Sequence, residues 1–353
     1  MSIAVETRAL SKHYGSVRAL DGVDVTIRAG EYFVLLGPSG GGKTTLLRTI
    51  GGFHRPTSGQ VLLHGSDVSD QPPDKRPTGM VFQAYALFPH MTVAQNVGYG
   101  LRLAKLASDQ IANKVAAMLD TVGLDGLGNR KPHELSGGQQ QRVQLARALV
   151  LDRDILLLDE PLAALDAQLR KDMCLELKHL QEKVGITFIH VTHNQEEAMT
   201  VADRIALIAD GKLVEQGSAR EVYEAPNRRF TASFVGENNL LAGRITTVSD
   251  GIATVETGGG AISVPSVGTA KEGAQAAVSI RSELVALSNA EDAQLSGTYV
   301  ESVYLGLTTS HRVALADGSQ ITARVVSGTG ATPEPGAPVH LSWPADAARL
   351  HID

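Results

Sequence analysis

The chain has 353 residues, of which 43% are hydrophobic and 20% charged, a balance that predicts two or three globular domains with real hydrophobic cores. A formal charge of −6, from 32 Lys and Arg against 38 Asp and Glu, argues against a nucleic-acid-binding protein. We predict a cytosolic protein from three features. The only cysteine is Cys174, no apolar run approaches the roughly 18 residues of a membrane span, and the N-terminus lacks a signal-peptide pattern.

Short apolar strands alternate with amphipathic helices over the first two thirds of the chain, which predicts a largely parallel α/β sheet. Gly123 and Gly185 directly follow the two longest helical patterns, at the position where glycine commonly ends a helix. In chain order, the predicted elements are the strand Tyr32–Leu36, the helix Lys43–Ile50, the helix Ser108–Val122, the strand Asp154–Leu158, the helix Ala167–Val184 and the strand Ile186–Val191.

The pattern changes near Gly236, where helical periods almost vanish and short alternating strands take over, separated by Gly and Asp-Gly turns. The predicted strands of this part lie at 244–248, 252–255, 277–280, 311–314, 320–325 and 339–341. We therefore predict two domains, 1–236 and 237–353, the second of them a small all-β barrel.

A glycine-rich loop separates the first predicted strand from the first predicted helix and fits the pattern G-x-x-x-x-G-K-[ST]. Backbone N–H groups of such a loop, together with the positive end of the following helix, hold phosphate groups. A chance glycine-rich turn is the alternative, and the complete match in a strand–loop–helix setting disfavours it. We expect a nucleoside triphosphate to bind here, with the Lys43 ammonium at its β- and γ-phosphates and the Thr44 hydroxyl on Mg²⁺. The loop consists of Gly37, Pro38, Ser39, Gly40, Gly41, Gly42, Lys43, Thr44 and Thr45.

Two adjacent carboxylates end the apolar run 155–158. Asp159 comes at the carboxyl end of a buried strand, where it can orient the ligands of Mg²⁺. Glu160 follows and can act as the general base that polarises an attacking water. Alone, this run could be a strand with a polar end, but together with the glycine-rich loop it predicts nucleotide hydrolysis.

A second helix start of anion-binding type lies about twenty residues before Asp159. Ser136, Gly137, Gly138 and Gln139 open a predicted helix that runs to about Val150, and small residues at such a start donate hydrogen bonds to phosphate. Two phosphate-binding helix starts in one chain make sense if the second serves a nucleotide held by another copy of the protein.

Together these motifs resemble those of the ATP-binding cassette (ABC) ATPases over the whole first domain. The resemblance implies a P-loop NTPase fold with a helical subdomain at about 84–150, and a 135–139 signature that closes over ATP bound to the opposite copy. Gly41, Ala163 and Asn194 depart from the residues common in that family, but none of the three changes removes a group that handles phosphate.

The resemblance also implies roles outside these motifs. Tyr14 would stack on adenine, Asp166 would lie in the loop that crosses the dimer interface, and His193 would be the switch histidine at the γ-phosphate. Gln83 would link the Mg²⁺ site to the transmembrane partner. From the residues alone, a packed tyrosine at a strand end and a structural histidine stay open as alternatives for Tyr14 and His193. The implied Mg²⁺ ligands are Thr44, Gln83 and Asp159, and the implied catalytic residues are Lys43, Glu160 and His193.

Two further stretches favour the importer branch of this family. The stretch 87–97 resembles the segment of importer ATPases whose exposed apolar residues receive helices from membrane subunits, although a core role of Phe88 and Met91 remains an alternative. The second domain resembles the OB-like (TOBE) domain of maltose-, iron- and polyamine-type importer ATPases. The runs 234–243 and 304–306 are most similar to the spermidine/putrescine branch, whereas Arg281-Ser282-Glu283 stands where relatives usually have Arg-Pro-Glu.

The resemblance therefore implies the ATP-hydrolysing subunit of an ABC importer, peripheral at the cytoplasmic face of the membrane. It implies a head-to-tail dimer of two copies that bind ATP and Mg²⁺, two permease subunits and, indirectly, an extracytoplasmic solute-binding protein, but no nucleic acid. The domain 237–353 would regulate or dimerise. Two alternatives remain: an importer ATPase for iron(III), a sugar, a phosphonate or an opine, and a non-transport ABC ATPase that acts on nucleic acid.

Overall fold

A computed structural model describes residues 2–83, 87–329 and 332–352 of the protein. The chain divides into two compact units, Met1–Ala219 and Arg220–Asp353, so the boundary predicted between residues 236 and 237 lies inside the second unit. In the part of the chain that the structure describes, no helix is both long enough and apolar enough to cross a bilayer.

The first unit combines two β-sheets with helices. Its strands are β1 (Ile3–Tyr14), β2 (Val17–Arg28), β3 (Tyr32–Leu36), β4 (Ser58–Leu63), β5 (Ser66–Asp67), β6 (Thr78–Val81), β7 (Ile155–Asp159), β8 (Thr187–Thr192), β9 (Arg204–Ala209) and β10 (Lys212–Gly217). Its helices are α1 (Lys43–Ile50), α2 (Val93–Val97), α3 (Tyr99–Leu103), α4 (Ser108–Thr121), α5 (Gly137–Leu149), α6 (Ala167–Val184) and α7 (Gln195–Val201).

The central sheet has the order β10-β9-β3-β8-β7-β6, in which β3, β6, β7, β8 and β9 run parallel. Strands β3, β7 and β8 are buried along their whole length, as expected for apolar strands covered on both faces. Leu36 pairs with Thr192 and Asp159 pairs with Val191, so these strands end side by side. The loops that follow them therefore meet at one edge of the sheet.

The other sheet of this unit is antiparallel, in the order β2-β1-β4-β5, and was not anticipated from the sequence. Its apolar face and that of the central sheet share one hydrophobic core, which includes Val5, Ile27 and Leu47. Helix α1 is thus held between two sheets, which fixes the position of the glycine-rich loop at its start.

Helices α2 to α5 have a hydrophobic core of their own, formed by residues such as Val97, Leu119 and Val143. They lie within the predicted helical subdomain at 84–150, whose first three residues, 84–86, fall outside the described part of the chain. This small separate core gives the segment that carries Ser136 its own rigid support.

The second unit is rich in β-structure. Helix α8 (Ala219–Glu224) begins at its boundary, and α9 (Arg229–Phe234) follows. The strands form two antiparallel sheets, in the orders β13-β12-β11-β14-β20 and β15-β19-β16-β17-β18, around a core that includes Val278, Tyr299 and Trp343. The fold prediction, an α/β unit followed by an all-β barrel, is therefore confirmed. The strands are β11 (Asn238–Ser249), β12 (Ile252–Thr257), β13 (Gly260–Pro265), β14 (Gln275–Arg281), β15 (Ala286–Ser288), β16 (Leu295–Tyr304), β17 (Thr308–Ala314), β18 (Gln320–Val326), β19 (Pro338–Ser342) and β20 (Arg349–His351).

Candidate active site

The glycine-rich loop connects β3 to α1, as predicted. Two of its positions require glycine, because any larger residue would clash with neighbouring backbone. Gly37 has φ 151°, and a Cβ there would lie 2.0 Å from the carbonyl oxygen of Ile208. Gly42, the N-cap of α1, has φ 107°, and its Cβ would lie 2.5 Å from the carbonyl oxygen of Ala19. The loop therefore packs directly against neighbouring backbone, which fixes its position at the start of α1.

Lys43 is the first residue of α1 and is only 4% exposed. Its ammonium donates hydrogen bonds of 2.8 Å to the carbonyl oxygens of Gly37 and Pro38. Burial lowers the pKa of Lys43, and the negative charge of Glu160 opposes that shift. The cation is thus held over the glycine-rich loop, beside the N–H groups at the helix start.

Asp159 ends β7 with a side chain that is 4% exposed, and both of its carboxylate oxygens bind α1. Oδ1 accepts a hydrogen bond of 3.1 Å from the Thr44 hydroxyl. Oδ2 accepts bonds from Arg48 Nη2 and Nε at 3.1 and 3.3 Å. Thr44 and Arg48 are one helical turn apart on the same face. The sequence analysis assigned Thr44 and Asp159 to one Mg²⁺ site, but it did not anticipate Arg48.

Next to Asp159, three residues predicted to lie in the site come together from three different loops: Gln83, Glu160 and His193. Glu160 Oε2 accepts a hydrogen bond of 3.3 Å from Gln83 Nε2 and lies 3.5 Å from His193 Nδ1. Glu160 has a left-handed backbone, φ 46°, and its N–H bonds the carbonyl oxygen of Val191 at 3.1 Å. Such a conformation is costly for a residue other than glycine and is found most often at functional sites. Gln83 lies two residues beyond the end of β6.

The residues of the 135–139 signature are organised as a helix cap. Ser136 is the exposed N-cap of α5, and its hydroxyl accepts a hydrogen bond of 3.3 Å from the N–H of Gln139. The Gln139 side chain accepts one of 3.0 Å from the N–H of Ser136. Asp166 similarly caps α6, with a bond of 3.0 Å from the N–H of Leu169. These described bonds are local, and none of them joins Ser136 or Asp166 to Lys43 or Glu160.

Tyr14 is the last residue of β1, and it is 46% exposed. The ring of His54 meets it edge-on, with centroids 5.9 Å apart, and Lys12 Nζ lies 5.0 Å from the tyrosine centroid. The exposed ring leaves surface for an adenine to stack on, so that role stays a prediction. Neither His54 nor Lys12 was anticipated from the sequence.

The stretch 87–97 forms a rigid turn around the buried side chain of Asn96. Its amide oxygen accepts a bond of 2.8 Å from the N–H of Phe88, and its amide nitrogen donates to the carbonyl oxygens of Phe88, Met91 and Thr92 at 3.1, 3.2 and 3.0 Å. Phe88 packs against Tyr99 with centroids 4.7 Å apart. Phe88 and Met91 are half-buried, whereas residues 89 and 90 are exposed at the tip of the turn. The turn thus combines a fixed backbone with partly exposed apolar side chains.

Two family models match separate parts of the chain. The model of the ABC transporter matches residues 20–163, and that of the TOBE domain matches residues 278–350. The chain is 44% identical to the spermidine/putrescine import ATP-binding protein of Nitrosomonas eutropha, over 99% of both chains. It is 48% identical to the protein of that name from Mesorhizobium japonicum, over 91% of this chain and 89% of the relative.

Solved structures resemble the chain as well. A subunit of the ABC transporter complex cbiONQ of Clostridium perfringens is 30% identical with a TM-score of 0.59, over 63% of this chain and 91% of its own. An ATP-binding cassette solved as a dimer in a post-hydrolysis state, with ADP and Pi bound, is 33% identical with a TM-score of 0.54, over 61% of this chain and 99% of its own. With near-complete coverage of relatives at this identity, the chain belongs to the ATP-binding proteins of ABC transporters and is an ATPase.

Proposed function

We propose that the protein is the ATP-hydrolysing subunit of an importer for spermidine, putrescine or a closely related polyamine. One observation carries the catalytic part: Glu160 Oε2 lies within 3.5 Å of both Gln83 Nε2 and His193 Nδ1 at the sheet edge beside the glycine-rich loop. The names of relatives that are 44% and 48% identical support the solute.

In this proposal, the N–H groups of residues 37–45 and the Lys43 ammonium bind the phosphates, and Tyr14 stacks on the base. Glu160 takes a proton from a water as the water oxygen bonds to the γ-phosphorus and the bond to the β-phosphate oxygen breaks. His193 positions the γ-phosphate and the attacking water next to Glu160. Lys43 stabilises the negative charge that moves to the phosphate oxygens.

Mg²⁺ would be held by Thr44, Gln83 and Asp159. The Thr44 hydroxyl and Asp159 Oδ1 are 3.1 Å apart, so two hard oxygen donors already face one another, which suits this cation. Among the described residues, no three His, Cys, Asp or Glu side chains group as a metal site. The site therefore fits an ion that takes its remaining ligands from phosphate and water. When bound, Mg²⁺ would neutralise charge on the β- and γ-phosphates.

Two copies would bind ATP head to tail, with Ser136, Gly137, Gly138 and Gln139 of one copy closing over the nucleotide of the other. Asp166 would lie between the copies. Ser136, the N-cap of α5, is exposed at the positive end of the helix dipole, which supports this role.

In each copy, the turn 87–97 would receive a helix from one of the two permease subunits at the cytoplasmic face of the membrane. The hydrogen bonds of Asn96 fix the backbone of the turn, so the turn would pass a movement of the ATPase on to the permease helix without changing its own shape. The domain 237–353 would regulate the transporter or help it to dimerise, and a solute-binding protein would act indirectly, through the permease subunits.

The catalytic assignment is tested with Glu160→Gln and Lys43→Ala. Glu160→Gln should keep ATP affinity within about threefold and lower turnover by at least about 100-fold, because it removes only the base. Lys43→Ala should weaken ATP binding itself. Glu182→Gln, the same exchange at an exposed position of α6, is the control and should behave as wild type. Turnover of Glu160→Gln within a few-fold of wild type would remove Glu160 from the role of base.

The solute and the class of protein are tested in reconstituted vesicles. ATPase activity should rise when the permease subunits and a putrescine-loaded solute-binding protein are present. Stimulation by another solute would reassign the solute, and stimulation by DNA or ribosomes instead of membrane partners would overturn the transport function.

A further inference from the structure

A small cavity lies beside Glu160, which is one of its lining residues. Its volume is about 40 Å³, which exceeds the 10–15 Å³ that a water requires in this measure. Six of its seven lining residues have polar side chains, which offer the two to four hydrogen-bond partners that a buried water needs. The lining residues are Glu160, Ala163, Arg170, Thr192, His193, Asn194 and Glu197.

One wall of the cavity is formed by an ion pair between α6 and α7. Arg170 Nε lies 3.5 Å from Glu197 Oε1, and the two side chains are 28% and 6% exposed. The other end of the guanidinium reaches the loop that follows Glu160, where Nη2 donates a bond of 2.7 Å to the carbonyl oxygen of Leu165. Arg170 Nε is buried and hydrogen-bonds to no atom of the described residues, so the Glu197 carboxylate is the charge that stabilises it at this end.

Glu197 holds the loop that carries His193. Its Oε2 accepts a bond of 2.6 Å from the Thr192 hydroxyl. The same hydroxyl accepts one of 3.0 Å from the N–H of Asn194, and the Asn194 side chain accepts one of 3.2 Å from the N–H of Glu197. The residues on both sides of His193 are therefore fixed to Glu197.

Burial raises the pKa of Glu197, and the hydrogen bond from Thr192 and the charge of Arg170 oppose that rise. The ionised carboxylate thus depends on Arg170. A buried charge that loses its partner is costly, whereas loss of both charges costs much less.

We propose that Arg170 and Glu197 are positioning residues for ATP hydrolysis. The pair, with a water in the cavity, ties the loop 160–166 to the loop 192–194 and so maintains the 3.5 Å approach of His193 Nδ1 to Glu160 Oε2. This inference rests on the proposed function, in which Glu160 activates water. Neither positioning residue contacts the glycine-rich loop, so they act on turnover and not on ATP affinity.

The test compares Arg170→Gln, Glu197→Gln and the double variant, each in the full chain. Each single variant should lower kcat by about 10- to 100-fold, the usual effect of catalytic groups displaced by up to about 1 Å, while KM for ATP stays within about twofold. The double variant should recover at least about threefold over either single variant, because it leaves no uncompensated charge. Lys178→Gln removes another ion pair of α6, to Asp203, away from the cavity and is the control.

Single variants with kcat within about twofold of wild type would overturn the proposal. A loss of kcat that tracks a lower melting temperature and does not recover in the double variant would also overturn it, since a merely structural role behaves in that way. If the single variants do not fold, Thr192→Val decides, because it removes only the hydroxyl that bonds Glu197. An unchanged kcat in that variant would overturn the proposal. Glu160→Gln in the same assay separates the two ideas: if it stays active, Glu160 is not the base, and the catalytic assignment on which this inference rests fails first.

Discussion

The first prediction concerns Gly37, the first residue of the glycine-rich loop. In Gly37→Ala the new Cβ would lie 2.0 Å from the carbonyl oxygen of Ile208 on β9, a separation that real Cβ atoms do not adopt. Relief of this contact requires the loop and β9 to separate by about 1 Å, and a shift of that size typically costs about 100-fold in activity. Overpacking and the φ of 151° together lower the free energy of unfolding by about 3 kcal/mol.

Gly40→Ala is the matched comparison in the same loop. Gly40 also has a left-handed backbone, φ 77°, but its Cβ would meet no atom within 4 Å. We therefore expect only the backbone cost, about 1–2 kcal/mol. The two variants separate the effect of the steric contact from that of the backbone conformation.

The assay is kcat/KM for ATP together with urea unfolding of both variants. Gly37→Ala should lose about 100-fold in kcat/KM, and at least about tenfold more than Gly40→Ala. Equal losses in the two variants would show that close packing against β9 does not position the loop. Wild-type stability of Gly37→Ala would refute the reasoning altogether.

Four further predictions follow from buried groups and from the shared site. Burial lowers the pKa of His190 to about 3. Between about pH 6.5, the pKa of an unfolded histidine, and about pH 3, only the unfolded chain binds a proton at this imidazole. The free energy of unfolding should therefore fall by up to about 1.4 kcal/mol for each unit by which the pH is lowered over this range. In His190→Gln, urea unfolding at several pH values should show a shallower slope. Arg76→Met should cost about 3 kcal/mol in urea unfolding, because the 1% exposed guanidinium bonds the last carbonyls of α1. Burial raises the pKa of Cys174 to about 12, so iodoacetamide should label it at neutral pH only after unfolding; fast labelling of the folded chain would contradict its burial. Mixed dimers of Lys43→Ala and Ser136→Arg chains, differently tagged, should bind one ATP between the chains, and a mixture without interfacial nucleotide would contradict the shared site.

The sequence alone was sufficient for those parts of the site that are built within a few residues. The glycine-rich loop needs only a strand, a tight turn and a helix start, and residues 32–50 contain the sequence signals for all three. Ser136 begins α5 as an N-cap through its own hydroxyl, and this hydrogen-bonding preference is a property of the residue type. Strands β7 and β8 were predictable for the same reason, because their uninterrupted apolar runs report burial on both faces.

The contacts between these parts were decided by the tertiary structure. Gln83 and Glu160 are 77 residues apart, and Arg48 and Asp159 are 111 apart, yet each pair is hydrogen-bonded. They meet because the strand order β3-β8-β7-β6 differs from the order in sequence, and parallel strands present their carboxyl ends at one edge. Nothing in the helical pattern of α1 distinguishes Arg48 from an ordinary exposed arginine.

The division of the chain also depended on long-range contacts. The periodicity changes at residue 236, but α8 and α9 lie in the unit that starts at Arg220. Arg281 on β14, 5% exposed, donates hydrogen bonds to the carbonyl oxygens of Tyr223 and Val235, which are 58 and 46 residues earlier in the chain. A buried guanidinium must satisfy its donors, and here the ends of two helices do so. Periodicity reports which face of a segment is buried, but only the path of the chain determines which other segment buries it.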